Sequence, residues 1–148
     1  MSSKTQQPGQ TLDQRRASHA WDVIRDILTQ YPPTIVKENG KEKKVPHEQA
    51  KKFGGQAKKL PTRIMAAGLG QALAFLKAKA YAPGLLAALT EWMTERIPPR
   101  QGEPGDLVER IVKGDSDFLR RASGEVLAYL VWLNRFAEAE GLTEEREG

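Results

Sequence analysis

Nine cations crowd into 27 consecutive positions: Lys37, Lys41, Lys43, Lys44, Lys51, Lys52, Lys58, Lys59 and Arg63. Lys51 and Lys58 stand seven residues apart, and so do Lys52 and Lys59. Seven residues make almost two turns of an α-helix, so each pair returns to one face, provided that Gly54-Gly55 does not break the helix between them. A ridge of this kind can follow the anionic oxygens of a phosphodiester backbone. Such contacts position a protein without reading base sequence. Phe53 is the one aromatic nearby, too little for a base-stacking platform. The chemistry on offer is Coulombic attraction to a polyanion. The bland alternative is a solvated helix face that keeps the protein soluble.

Nothing comparable points to catalysis. The chain has two histidines and no cysteine, which removes disulfides, thiolate metal sites and cysteine nucleophiles. His19 and His47 have no second histidine or acidic pair at metal-ligand spacing, so no metal or other cofactor is expected. Gly68-Leu69-Gly70-Gln71 lacks the following Lys-Ser/Thr and the preceding strand of a phosphate-binding loop. The G-x-S-x-G and S-x-x-K nucleophile patterns are absent as well. The carboxylates Glu91, Glu95, Asp106, Glu109, Asp115 and Asp117 fall on polar faces or at helix starts, where capping and the helix dipole explain them.

The chain is 148 residues long, 39% hydrophobic and 28% charged, with a net charge of +4. One domain with its own core is the expectation. No apolar run is long enough to span a bilayer, and MSSKTQQPGQT has no signal core, so the default location is the cytoplasm. Charge is uneven. Residues 1–80 hold 15 Lys+Arg against 6 Asp+Glu, giving +9, while residues 81–148 hold 8 against 13, giving −5. This suggests a polyanion-facing side and a second surface for a basic partner, unless folding interleaves the halves.

The elements that must position these charges read as helices. Residues 1–10 form a disordered polar tail, residues 11–141 a helical domain, and residues 142–148 a charged tail. The fold class predicted is all-α, a single compact bundle of five to six helices. Apolar spacing at Ala17, Ala20, Trp21, Ile24, Ile27 and Leu28 predicts a helix over Leu12–Gln30 with Thr11 as its cap. Asn39-Gly40 suits a tight hairpin turn, but its flanks are short and polar, which favours a mobile loop. A surface helix is predicted over Pro46–Lys59. A second, over Pro61–Ala80, reads as apolar nearly all round and is placed at the centre of the domain. Further helices are expected over Pro83–Ile97, Asp106–Lys113 and Ser116–Glu140, with a Pro/Gly-rich loop over 98–105. Trp21, Trp92 and Trp132 are assigned to the core.

Three blocks of this chain carry a resemblance: KKLPTRIMAAGLGQALAFLKAKA, LLAALTEWM and FLRRASGEVLAYLVWLNRFAEAEG. Their most specific pieces are Leu60-Pro61-Thr62, Gly68-Leu69-Gly70-Gln71 with Leu73-Ala74-Phe75, and Trp132-Leu133 followed by Arg135-Phe136-Ala137. In order and distance they resemble the small subunit of the type III-B CRISPR RNA-silencing complex, the Cmr complex. The small subunit of the Csm complexes is a more distant likeness. The resemblance implies an all-helical, non-catalytic protein that stacks along the complex beside the crRNA-binding subunits. It would face the groove where crRNA and target RNA pair. Arg63 departs from the pattern, since an apolar residue is expected after Leu-Pro-Thr.

On this footing Lys51, Lys52, Lys58, Lys59, Arg63 and Lys77 are assigned to RNA backbone contact, and Arg135 to RNA or a neighbouring subunit. Lys77 and Lys79 also have a structural explanation, because cations are favoured at a helix C-terminus. The expected partners are the other Cmr subunits, crRNA, target RNA and further copies in a stacked filament, with no membrane. A second reading is a protein-interaction adaptor whose lysines only aid solubility. A helix-turn-helix DNA binder is disfavoured by the apolar outward faces expected around residues 61–97.

Overall fold

The computed structural model describes residues 9–79 and 82–143. The predicted tails lie for the most part outside them, as does Ala80 at the expected end of the central helix. In chain order the elements are α1 (Leu12–Gln30), β1 (Thr34–Glu38), β2 (Lys41–Val45), α2 (Glu48–Ala67), α3 (Leu69–Lys79), α4 (Pro83–Arg96), α5 (Leu107–Lys113) and α6 (Ser116–Ala139). Among the described residues, six helices and one small two-stranded ribbon make a predominantly helical fold, as the sequence predicts.

Helix α1 has the predicted bounds. The Thr11 side chain accepts from the Gln14 N–H at 3.0 Å, and the Gln14 side chain returns the bond to the Thr11 N–H at 2.8 Å. This reciprocal cap satisfies two of the donors that a helix start leaves open. Ala20, Ile24 and Ile27 are buried, and α1 packs chiefly along α6. Trp21 corrects the expectation of a core tryptophan. It is 48% exposed, edge-on to Phe136 at 5.3 Å and beneath the Arg25 guanidinium at 4.6 Å. Trp132 is half-buried, and Trp92 is fully enclosed.

The segment expected to be a mobile loop is a hairpin. Strands β1 and β2 pair antiparallel from Thr34↔Val45 to Glu38↔Lys41. Asn39 and Gly40 take φ of 54° and 76°, the left-handed pair that a two-residue turn needs to match strand twist. All ten strand residues are exposed, so turn and ladder geometry hold the ribbon rather than burial. Tyr31 and His47, at its two roots, bring their rings to 5.0 Å.

The largest correction concerns α2 and α3. The predicted boundary at Pro61 does not exist, because α2 runs unbroken through Gly54-Gly55 and Pro61 to Ala67. Proline has no N–H for the carbonyl four residues back. That carbonyl, on buried Ala57, instead accepts a 3.0 Å hydrogen bond from the Asn134 side chain on α6. The actual break is Gly68, with φ 90° and ψ 159°, a region open essentially to glycine alone. Helix α2 also buries more of itself than a surface helix with few apolar anchors would, while its other face stays exposed. Ala50, Phe53, Ala57, Leu60 and Ile64 are buried against α3, α4 and α6. Helix α3, conversely, is not enclosed all round. It buries Leu69, Ala72, Leu73 and Leu76, while Phe75 is exposed, and Met65 near the end of α2 is 76% exposed. Ala66, Ala67, Ala74 and Ala78 are exposed too. Alanine reads as apolar in a periodicity but loses little when left in water.

Helix α6 closes the bundle. Gly141, at φ 72°, ends it, and the Leu142 N–H reaches back to the Ala137 carbonyl at 2.9 Å. That is the 6→1 bond of a Schellman stop, and Leu142 is fully buried beyond it. The returning chain crosses α2 at Gly54, where an added Cβ would run into the Leu142 carbonyl. Gly54 is therefore the point of close approach that lets the C-terminal turn dock.

Candidate nucleic-acid interface

Because α2 is continuous, its cations share one side. Lys52, Lys58 and Lys59 are exposed, and Lys51 and Arg63 are half-buried, opposite the face that carries Phe53, Leu60 and Ile64. Gly55, Lys58, Lys59, Thr62 and Arg63 line a shallow open depression on this surface. Arg63 is fixed rather than waving in solvent. Its Nη1 donates to Gln56 Oε1 at 2.7 Å, and its guanidinium lies 4.6 Å from the centre of the Phe75 ring. Lys79 Nζ stands 5.7 Å from the same ring.

Phe75 thus sits between two cations at the margin of the ridge, 38% exposed. Sequence reasoning missed it. Phe53, the aromatic singled out, is buried at 3% exposure and cannot stack on a base. The signal for Phe75 was its place at i and i+4 with Lys79 on one helix, which brings the two side chains together.

The other assigned residues stand apart. Lys77 lies on a different side of α3, in a depression shared with Leu86, Glu91 and Asp106. Arg135 is exposed on α6, one position beyond Asn134. The hairpin lysines divide by register. Lys41 and Lys43 alternate on one face of the ribbon, and Lys37 and Lys44 on the other.

Several ionisable groups inside the bundle bond one another around Glu125. Glu125, 6% exposed, accepts from Arg16 Nε at 2.7 Å, Arg16 Nη2 at 3.0 Å, Trp92 Nε1 at 2.9 Å and Arg96 Nε at 3.2 Å. Burial pushes the Glu125 carboxyl up, but the hydrogen bonds from Arg16 and Trp92, with the charges of Arg16 and Arg96, outweigh it and hold the group below its ordinary value. Beside this network, buried His19 has Nδ1 at 2.7 Å from the Tyr129 hydroxyl and Nε2 at 2.8 Å from Glu91. Burial drives the Tyr129 phenol well above its usual range. This polar seam ties α1, α4 and α6 together. Among the described residues, no group of three or more His, Asp or Glu side chains is placed to hold a metal, and no helix is long and apolar enough to cross a membrane.

Fold and surface define a small, predominantly helical protein with a basic face on α2. Residues 12–140 match the family described as CRISPR-associated protein (Cas_Cmr5). The chain belongs to that family, whose members are small subunits of the type III-B CRISPR Cmr complex. A solved structure, the X-ray crystal structure of a CRISPR-associated Cmr5 family protein from Thermus thermophilus, is similar with a TM-score of 0.64 and 26% identity. The match covers 91% of this chain and 100% of the Thermus chain. Among curated proteins nothing matches.

Proposed function

We propose that this chain is a non-catalytic small subunit that lays the outer face of α2 along the phosphodiester backbone of paired crRNA and target RNA. Lys51, Lys52, Lys58, Lys59 and Arg63 make the central contacts, and Phe75 with Lys79 extends them. Lys77 and Arg135 lie aside and serve secondary contacts, Arg135 to RNA or to a neighbouring subunit. Copies of the chain stack along the complex in the cytoplasm, and RNA cleavage belongs to other subunits. The observation that carries this reading is the unbroken course of α2 through Gly54-Gly55 and Pro61, which keeps five cations on one side. Charge of this kind gives affinity that falls with salt and ignores base sequence.

The test is a Cmr complex reconstituted with Lys52→Glu, Lys58→Glu and Lys59→Glu combined in this subunit. We expect assembly to persist, target RNA affinity to fall, and the slope of log K against log salt to shrink by about 3. Failure of assembly with RNA affinity retained in the subcomplex would favour the protein-interaction adaptor instead.

A further inference from the structure

A second basic site lies away from α2. Between the Pro/Gly loop after α4 and the turn from α5 into α6 is a pocket of about 300 Å3. Ile97, Pro98, Pro104 and Phe118 give it an apolar wall, and Arg100, Arg110, Lys113 and Arg121 line it together with Glu103, Asp115 and Asp117.

Arg110 is the unusual member. It is 7% exposed, and burying a guanidinium is costly unless its donors are met. Its Nη2 donates to the Ile97 carbonyl at 2.6 Å and its plane rests 4.7 Å from the Phe118 ring centre. Its Nη1 has no hydrogen-bond partner among the described residues. Burial lowers the Arg110 pKa, and the field of Glu103 only partly restores it. The acids at the pocket each accept a hydrogen bond already. Glu103 accepts from the Arg100 backbone N–H at 2.7 Å, Asp115 caps α6 through the Phe118 N–H at 2.9 Å, and Asp117 takes Arg120 at 2.7 Å. Lys113, also at the pocket, pairs with Glu109. The first turn of α6 borders the cavity and adds the positive end of its dipole.

We propose that this pocket binds a phosphomonoester, with Arg110 as its buried anchor and Arg100 and Arg121 closing over the anion. Three guanidinium forks offer more donors than one carboxylate accepts, whereas a phosphomonoester presents three terminal oxygens. The apolar wall takes the organic part of the ligand. The phosphate belongs either to a free small molecule or to the end of a nucleic-acid strand.

The test is an NMR titration of the purified full chain with AMP, and separately with adenosine, followed at the backbone amides of Gly102 and Gly114. AMP is expected to move both amides saturably with a Kd on the order of 1 mM or tighter, and adenosine to bind at least about tenfold more weakly. Arg121→Ala, an exposed change, should weaken AMP about tenfold with Tm unchanged. A 5′-phosphorylated tetranucleotide that binds as tightly as AMP assigns the phosphate to a strand end, and weaker binding assigns it to a free ester. Still amides under AMP, equal shifts with adenosine, or undiminished binding to Arg121→Ala would each overturn the proposal.

Discussion

The Asn134 amide donates to the Ala57 carbonyl at 3.0 Å, supplying from α6 the donor that Pro61 withholds inside α2. Removing it leaves a buried acceptor unmatched, which costs about 1–3 kcal/mol. Asn134→Ala should lower the stability read from urea unfolding by that amount. Pro61→Ala in the Asn134→Ala background restores an N–H at position 61 and should recover much of the loss. Equal losses with and without Pro61 would separate Asn134 from the proline.

Glu125 sets an acid limit on the fold. Its folded-state pKa lies below the ordinary value, so its contribution is present above the unfolded pKa and disappears as pH falls through the folded one. Breaking a buried, multiply bonded charge of this kind costs about 3 kcal/mol. Glu125→Gln should be destabilised by that order at neutral pH, and its stability should change less than that of the unaltered chain on going into acid. Chemical denaturation at neutral pH and below the carboxylate range measures both.

Two glycines should respond in opposite directions. A Cβ at Gly54 meets the backbone of Leu142, whereas one at Gly124, within α6, meets nothing within 4 Å. Gly124→Ala should stabilise by about 0.5–1 kcal/mol, since alanine is the better helix former. Gly54→Ala should destabilise and loosen the C-terminal turn, visible as faster hydrogen exchange at the Leu142 amide. Thermal melts of the two variants test the signs.

On the basic face, Arg63→Ala and Phe75→Ala should each weaken target RNA binding by the assembled complex. The Arg63 change should reduce the salt slope by about 1 and the Phe75 change leave it unaltered, because in the proposed mode only the first would remove a phosphate contact. Lys77→Ala should matter less than either, since Glu91 and Asp106 line the same depression. Filter binding across a salt series distinguishes the three.

Local signals in the sequence located most helix ends, because each rests on neighbouring residues. The Thr11 cap, the Asp115 cap and the Gly141 stop are all short-range. The joint between α2 and α3 was misplaced because Pro61 is tolerated only through Asn134, whose partner Ala57 is 77 positions away in sequence. The hairpin turn was visible in Asn39-Gly40, yet its strands bury nothing, so no alternation of apolar and polar residues announced them. The lysine ridge was legible from its seven-residue spacing. Phe75 was not, since a stretch rich in alanine conceals which side of a helix faces water. Nor was the burial of Arg110, which depends on a loop and two helix ends meeting.

The ribbon carries a consequence of its own. Each of its strands has a single neighbour, so both outer rims show amides and carbonyls that no ladder uses. Rims like these tempt a strand from another molecule to add on. Ile35, Val36 and Val45, all exposed, would make such a junction sticky. The four lysines interleaved with them set one ribbon against another of its kind, a safeguard that weakens as ions shield the charges. Concentrated solutions of this protein should accordingly stay clear at low ionic strength and begin to form cross-β aggregates, through these two strands, as salt is raised.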